Sequence, residues 1–166
     1  MSDFFYSVME DLYGLFALEQ PKEFGLSVYF TRAAKVKMGL QMEDRPQGIL
    51  LCSELGRMPL GASRQLWLQE ALRWNSVIGA VGIVSLNVGA DLLVLTHLFP
   101  IQNVNAQIIF EAMDAFEARA APWQEGILHG VPPTLSGSLS IGSEAKAALG
   151  SIHNVAAASR MGMLRP

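Results

Sequence analysis

The stretch GILLCSELGRMPLGASRQLWLQEALRWNSVI, residues 48–78, changes from the pattern of a strand to the pattern of a helix. Residues 48–55 begin with a nearly continuous apolar run, which is typical of a well-buried strand. Gly56 and Pro59 end this pattern, because both residue types interrupt regular strands. A new element is therefore expected after Pro59.

A helix over residues 61–77 is predicted by the spacing of its apolar residues. Four residues step by four, three and four positions and so share one face: Trp67, Ala71, Trp74 and Ile78. Leu68 and Leu72 widen this stripe. An apolar stripe of this width predicts a helix that buries one side against another element.

The remaining elements follow from the same two periodicities. Steps of three and four residues predict helices over residues 3–18 and 103–128, and Pro122 is expected to kink or interrupt the second. Alternating residues predict further strands, over residues 26–31, 35–42, 80–87 and 92–99. The order α-β-β-β-α-β-β-α lacks repeated βαβ units. It predicts an α+β fold with three helices and an antiparallel sheet of about five strands.

The composition favours a protein that buries surface against a partner. Apolar residues make up 51% of the 166-residue chain and charged residues only 16%, whereas globular chains usually carry roughly 25% charged residues. The net charge of −3 argues against nucleic acid and against a polybasic membrane anchor. The longest apolar run is too short and too interrupted to span a membrane. We therefore expect no nucleic-acid binding and no membrane insertion.

The chain is expected to have two parts, a folded domain over residues 1–130 and a Ser/Gly/Ala-rich tail over residues 131–166. Val131-Pro132-Pro133 marks the boundary, since proline ends helices and stiffens linkers. All fourteen aromatic residues precede this boundary, so the tail cannot build a core of its own. We expect it to be disordered or to form a short docked helix.

No group of residues suggests catalysis, metal binding or a cofactor. Cys52 is the only cysteine and lies within an apolar strand, so we expect it to be buried and inert. The three histidines lie far apart on different elements: His97, His129 and His153. None has a second ligand at metal-binding spacing. A single cysteine and an N-terminus without a secretory signal favour a reducing cytosol.

Several of these patterns resemble one known family. They are the junction 55–59, the helix segment 68–75, the glycine-containing strand 79–83 with its partner 91–95, and the Phe116…Ala120…Trp123 run of the last helix. In this order they resemble the type III secretion chaperones of the Tir-chaperone (CesT-like) class. The resemblance covers about residues 3–128, and the tail is longer than that family usually has.

The resemblance implies a cytoplasmic bacterial homodimer without a cofactor. Such a dimer would bind the N-terminal chaperone-binding segment of a secreted effector, its client, and keep it soluble for the secretion ATPase. The client segment would stay extended, press apolar side chains into surface patches and add a strand to a sheet edge. No nucleotide would be used.

The first helix and the first two predicted strands are the candidate client-binding elements. The side chains assigned to client binding are Phe5, Leu26, Val28, Phe30, Val36, Met38 and Leu40. An exposed strand edge can pair with a client strand, and flexible methionines suit varied apolar side chains. The alternative is that these residues belong to the core and that the first helix only shields the sheet.

The second helix is the candidate dimer interface, because the resemblance places this helix between subunits. The residues assigned to it are Trp67, Ala71, Trp74 and Ile78. Tryptophan is enriched at interfaces, where it buries a large area. The alternative is that both tryptophans pack inside one protomer.

Two other functions remain open on the sequence alone. One is a dimeric adaptor or scaffold without a role in secretion. The other is an enzyme with an unrecognised pocket. A secreted polypeptide that binds the chain would favour the chaperone over both.

Overall fold

The computed structural model describes residues 2–21, 25, 27–31, 35–44, 47–61 and 63–135. The chain divides into two compact units, Met1–Thr134 and Leu135–Pro166. All of the second unit except Leu135 lies outside the described residues. The tail predicted from residue 131 therefore remains a prediction for residues 136–166.

The described residues of the first unit form three α-helices and one five-stranded sheet, which confirms the predicted α+β fold and element order. In chain order the elements are α1 (Ser2–Leu15), β1 (Ser27–Thr31), β2 (Lys37–Asp44), β3 (Gln47–Arg57), α2 (Ser63–Asn75), β4 (Ile83–Asn87), β5 (Leu92–Pro100) and α3 (Ala106–His129). A short 3₁₀ turn, Ile101–Asn103, precedes α3. The predicted boundaries differ from these by a few residues at most.

The sheet is antiparallel throughout, with the strand order β1-β2-β3-β5-β4. The last strand of the chain therefore lies in the interior of the sheet, between β3 and β4. This order places β1 at one edge and β4 at the other. The two edge strands are thus far apart in the sequence.

One face of the sheet and the helices enclose the core. Alternate residues of β3, such as Ile49 and Leu51, are fully buried on this face. The apolar stripe of α3 meets them with Ile109, Met113, Phe116, Ala120 and Trp123, all of which are fully buried. On the opposite face, residues such as Leu50 and Leu98 are only half-buried. The core is therefore one-sided, as the alternating patterns require.

The junction after β3 contains a bulge rather than the expected strand end. The register between β3 and β5 shifts between Glu54 and Gly56, and β3 continues to Arg57. Gly56 has φ +140°, and a Cβ there would lie 2.9 Å from Ile127 of α3. Glycine is therefore required both by the backbone conformation and by the close approach of α3.

The ends of α3 are defined by caps. Asn105 accepts a hydrogen bond from the Ile108 N–H at 2.9 Å, and Gly130 ends the helix with φ 71°. The helix continues through Pro122, so the expected interruption there was wrong. After Gly130 the chain folds back, and the Val131 N–H donates to the Gly126 carbonyl at 2.9 Å.

Candidate functional site

The β1 edge is the first candidate surface, because no described strand pairs with the outer side of β1. In antiparallel sheets the backbone groups of successive residues point alternately to the two neighbours. Both backbone groups of Val84 in β4 bond to the side chain of Asn75 in α2, on the side away from β5. The neighbouring residue Ile83 must therefore form its hydrogen bonds with Thr96 of β5. This contact determines, for each strand, which residues direct their backbone N–H and C=O groups toward which neighbouring strand.

The alternation can be followed across the sheet from β4 to β1. It makes Leu95 pair with Ser53, Cys52 with Gly39, and Leu40 with Val28 through mutual hydrogen bonds. The residues next to Val28 on β1, and every second residue from them, then direct their N–H and C=O groups away from β2. On β1 these outward-directed residues are Ser27, Tyr29 and Thr31.

An aromatic cluster lies beside this edge on the helix-covered face. The Phe30 ring lies 5.4 Å from Tyr13 and 5.2 Å from Phe16, and Phe16 lies 4.9 Å from Phe110. Phe30 is buried, whereas the other three rings are half-buried. We call these four residues the aromatic shelf. It joins β1 to the C-terminal end of α1 and to the first turns of α3.

The residues assigned to client binding lie in the core. Phe5, Val28, Phe30, Val36, Met38 and Leu40 are each 6% exposed or less, and Leu26 lies outside the described residues. Their burial is what the alternative interpretation required. A direct role in client binding stays a prediction, but their side chains offer no open surface in this conformation.

A tyrosine covers a glycine on the outer face of β1 and β2. Tyr29 pairs with Gly39, and a Cβ at Gly39 would lie 3.0 Å from the Tyr29 ring and 3.2 Å from Cys52 Sγ. Lys37 places its Nζ 4.5 Å from the centre of the same ring. Tyr29 is nevertheless 60% exposed. Its ring therefore forms a partly open platform next to the strand edge.

Cys52 lies on this outer face and is half-buried, so the expectation of a fully buried cysteine was wrong. It pairs with Gly39 on one side and with Thr96 on the other. Burial, as the largest cause, raises the pKa of the Cys52 thiol above 9.0, and the carboxylates of Glu54 and Glu43 act in the same direction. The thiol form therefore dominates at neutral pH.

The β4 edge differs, because the side chain of Asn75 occupies it. Asn75 is the last residue of α2. Its Nδ2 donates to the Val84 carbonyl at 2.8 Å, and its Oδ1 accepts from the Val84 N–H at 2.9 Å. One side-chain amide thus satisfies both outward backbone groups of Val84, the second residue of β4.

A neighbouring backbone group is also occupied. The Gly82 N–H donates to Nδ1 of His97 at 3.2 Å, which requires that nitrogen to carry no proton. Burial lowers the pKa of His97 below 6.5, so the neutral ring is favoured. The outward groups of Val84 are therefore occupied by α2, and the Gly82 N–H just before β4 is bonded to β5 on the inner side.

Three tryptophans hold α2 against α3. The Trp123 ring lies 5.9 Å from Trp67 and 5.7 Å from Trp74, and all three are buried. The Trp74 Nε1–H donates to the Pro133 carbonyl at 3.1 Å, so residues 131–134 pack with the first unit. Arg119 donates to the Trp74 carbonyl and lies 5.4 Å from the Trp74 ring. We call the three rings the tryptophan cluster.

The residues assigned to the dimer interface divide into two groups. Trp67, Ala71 and Trp74 are buried within the protomer, as the alternative interpretation required, so they present no protomer surface. Ile78 follows the end of α2 and is 98% exposed. Leu72 is 71% exposed and Leu68 also lies on the exposed side, so the expectation that they widen the buried stripe was wrong. Their exposure leaves apolar surface beside β4.

The described residues contain no group of three or more His, Cys, Asp or Glu side chains that could hold a metal ion. None of the described helices combines the length and the apolar character needed to cross a membrane.

Sequence reasoning missed two functional candidates, Tyr29 and Asn75. Tyr29 sits at an outward position of a strand whose edge location depends on the whole strand order. Asn75 ends a helix, where asparagine is common, and its pairing with Val84 depends on how α2 lies on β4. No local signal could have found either role.

The fold is similar to several solved structures. One is described as the HopA1-SchA chaperone-effector complex, with TM-score 0.60 and 17% identity over 74% of this chain and 94% of that chain. A second is the heterodimeric ExoU-SpcU complex from the type III secretion system of Pseudomonas aeruginosa, with TM-score 0.55 and 19% identity over 69% and 96%. A third is the ExoT-SpcS complex from Pseudomonas aeruginosa, with TM-score 0.52 and 13% identity over 72% and 97%. At these identities the similarity concerns the fold.

No family model matches the chain, and neither does any curated protein.

Proposed function

We propose that this protein is a type III secretion chaperone that binds an extended N-terminal segment of a secreted effector. The observation that carries the proposal is the β1 edge, whose outward backbone groups lie beside the aromatic shelf. The similarity to solved chaperone–effector complexes supports the same function. The sequence patterns that resemble the Tir-chaperone class support it independently.

The client segment would add a sixth strand to the sheet. Its backbone would pair with the outward groups of Ser27, Tyr29 and Thr31, which have no described strand beside them. Alternate client side chains would contact the aromatic shelf on one face and the Tyr29 ring on the other. Apolar or aromatic side chains on the shelf side would bury the half-exposed rings of Tyr13 and Phe16.

In this arrangement the residues assigned to client binding would contribute indirectly. Val28 and Phe30 hold β1 in place because their side chains face the core and Phe30 supports the shelf. They would act by positioning the edge, with the contact itself made by the backbone and by the shelf. Binding in this mode needs no nucleotide, metal or catalytic group.

A homodimer is the second part of the proposal. Leu68, Leu72 and Ile78 expose apolar side chains along and just after α2, and Ile83 of β4 is 60% exposed. Together they form an apolar surface beside the buried tryptophan cluster. We propose that this surface packs against the same surface of a second protomer. It includes Ile78, one of the residues predicted for the dimer interface. The location in the bacterial cytoplasm and delivery of the client to the secretion ATPase complete the proposal.

Export of a candidate effector tests the function. Deleting the gene for this protein should abolish type III export of an effector encoded beside it, and the wild-type gene should restore export. The purified chain should bind the effector's N-terminal segment in isothermal calorimetry. Unchanged export together with a failure to bind would exclude the chaperone function. If the dimer nevertheless persists, the adaptor function becomes the better account.

A pair of substitutions at Tyr29 tests the binding mode. Tyr29→Pro removes the outward N–H, and Tyr29→Ala removes only the ring. We expect Tyr29→Pro to weaken client binding by about tenfold more than Tyr29→Ala, the equivalent of about one well-formed hydrogen bond. Equal affinities for the two variants would exclude backbone pairing at this residue.

The dimer has its own test in sedimentation velocity. A Leu72→Glu plus Ile78→Glu variant should sediment as a monomer, because it places two charges on the proposed contact. Leu128→Glu is the matched control, since Leu128 is 80% exposed but lies on α3. A double variant that sediments as a dimer would contradict the proposed interface.

A further inference from the structure

The two edges of the sheet offer very different numbers of backbone groups to an added strand. On β1 the outward-directed residues are Ser27, Tyr29 and Thr31. On β4 they are Val84 and Leu86, because Ile83, Ser85 and Asn87 direct their groups toward β5. An added strand pairs with every second residue of an edge, so each occupied residue shortens the available site.

Asn75 occupies Val84, one of the two outward-directed residues of the shorter edge. Both backbone groups of Val84 are bonded to its side-chain amide, at 2.8 Å and 2.9 Å. Gly82 precedes β4, and its N–H donates to His97 of the inner neighbour β5, so this contact belongs to the inner side of the strand. Of the two outward-directed residues of β4, only Leu86 keeps backbone groups that the Asn75 side chain does not occupy. A single residue cannot hold a strand.

Several contacts of Trp74 hold the end of α2 behind Asn75. The preceding residue, Trp74, packs in the tryptophan cluster and donates its Nε1–H to Pro133. The Trp74 carbonyl accepts a hydrogen bond from the buried Arg119. Asn75 therefore projects from a helix end whose preceding residue contacts Trp123, Pro133 and Arg119, and moving its amide away from Val84 with the helix would disturb these contacts.

We infer that Asn75 closes the β4 edge and so directs an added strand, the client strand of the proposed function, to β1 alone. The closure acts as protection against wrong pairing, because an open edge strand invites other chains. Asn75 is thus a residue that determines specificity by position, without touching the client. It also keeps two β4 edges of neighbouring protomers from pairing with each other.

The inference rests on the proposed function only in naming a client strand as the strand that is added. In the test a probe peptide replaces the client strand. The probe is a synthetic peptide that copies residues 37–44, the β2 strand, with a nitroxide label at its N-terminus. Line broadening of backbone amides in the full chain reports where the peptide binds. The amides to follow are those of Tyr29 at one edge and Leu86 at the other.

The decisive comparison is between the wild type and Asn75→Ala. In Asn75→Ala we expect new broadening at Leu86 and faster exchange of the Val84 amide hydrogen, by about tenfold for one lost hydrogen bond. Gln69→Ala, which removes an exposed amide from the same helix, should behave as the wild type. Asn75→Asp keeps the acceptor for the Val84 N–H but loses the donor, and should give an intermediate exchange rate if Asn75→Ala fails to fold.

The outcomes separate the inference from the proposed function. Broadening at Leu86 in the wild type overturns the inference, and so does a lack of any gain at Leu86 in both Asn75 variants. A gain at Leu86 in Asn75→Ala supports the inference even if Tyr29 never broadens. That last result would count against strand addition at β1, and hence against the proposed function alone.

Discussion

The β1 edge and the β4 edge belong to the same sheet but are protected in opposite ways. At β4 a helix end, a side-chain amide and three tryptophans hold the edge closed. At β1 the outward backbone groups have no described strand beside them, and half-buried aromatic rings line the approach. The difference matches the proposal that the β1 edge binds the client, while the β4 edge is occupied by the protein's own side chain.

The comparison also locates the apolar excess of the composition. Part of it lies at the aromatic shelf beside β1, and part lies on the exposed side of α2 beside β4. The first surface borders an open strand and suits an extended segment. The second borders a closed strand and suits a side-chain contact with another folded surface.

The largest expected effect comes from removing the support of the β4 side. Trp123→Ala should lower the free energy of unfolding by about 3–5 kcal/mol, because it leaves a cavity between Trp67 and Trp74. Leu128→Ala, at an exposed position of the same helix, should change it by less than about 0.5 kcal/mol. Urea denaturation followed by circular dichroism measures both. Equal losses would mean that the tryptophan cluster does not hold α2.

Proline substitution tests the direction of the backbone groups on β1. Val28→Pro removes a hydrogen bond to β2 and should cost about 1–3 kcal/mol, because a carbonyl in the ladder loses its donor. Tyr29→Pro removes an outward N–H and should leave the ladder intact. Urea denaturation of the two variants gives the comparison. If Tyr29→Pro is the more destabilising of the two, the assigned alternation is wrong.

The pH dependence of stability tests the hydrogen bond between the Gly82 N–H and the His97 ring. The pKa of His97 is lowered by burial, so the unfolded chain takes up the proton more readily than the folded chain. The stabilisation is present above the ordinary value of 6.5 and decreases as the pH falls from there toward the lowered pKa.

The urea midpoint of the wild type should therefore fall between about pH 7 and about pH 5.5. His97→Asn keeps an acceptor for the Gly82 N–H without titrating in this range, and its midpoint should change less. Parallel pH curves for the two proteins would show that His97 does not contribute.

The smallest expected effect concerns Cys52 on the outer face. Its pKa is raised by burial, so alkylation by iodoacetamide at neutral pH should be slower than for free cysteine. The rate should keep rising with pH beyond 9.0. Mass spectrometry of timed samples measures this. A rate that levels off below the pKa of an ordinary thiol would show that the outer face is more open and more polar than described.

Periodicity predicted the elements and the core of this domain well. The stripe of α3 was expected from its spacing, and its members from Ile109 to Trp123 are buried as a stripe of that kind should be. Apolar spacing reports which side of an element is buried, and that property is local. It could not report that β5 lies between β3 and β4, because strand order depends on contacts distant in sequence.

The same limit explains what sequence reasoning missed at the candidate site. Trp67 and Trp74 were assigned to an interface because tryptophan is common there, but α3 provides Trp123 as their partner within the chain. Tyr29 and Asn75 are the candidate residues at the two edges. Both depend on the direction of backbone groups, those of Tyr29 itself on β1 and those of Val84, which Asn75 binds, on β4. That direction is set by register across five strands and is not encoded by any residue type.

The central claim is that a client strand pairs with β1 and leaves β4 unchanged. Amide hydrogen exchange of the full chain, with and without the N-terminal segment of an effector encoded beside it, tests this most directly. The account predicts that binding protects the outward amides of Tyr29 and Thr31 and leaves Leu86 unchanged. Protection at Leu86 without protection at Tyr29 would contradict it.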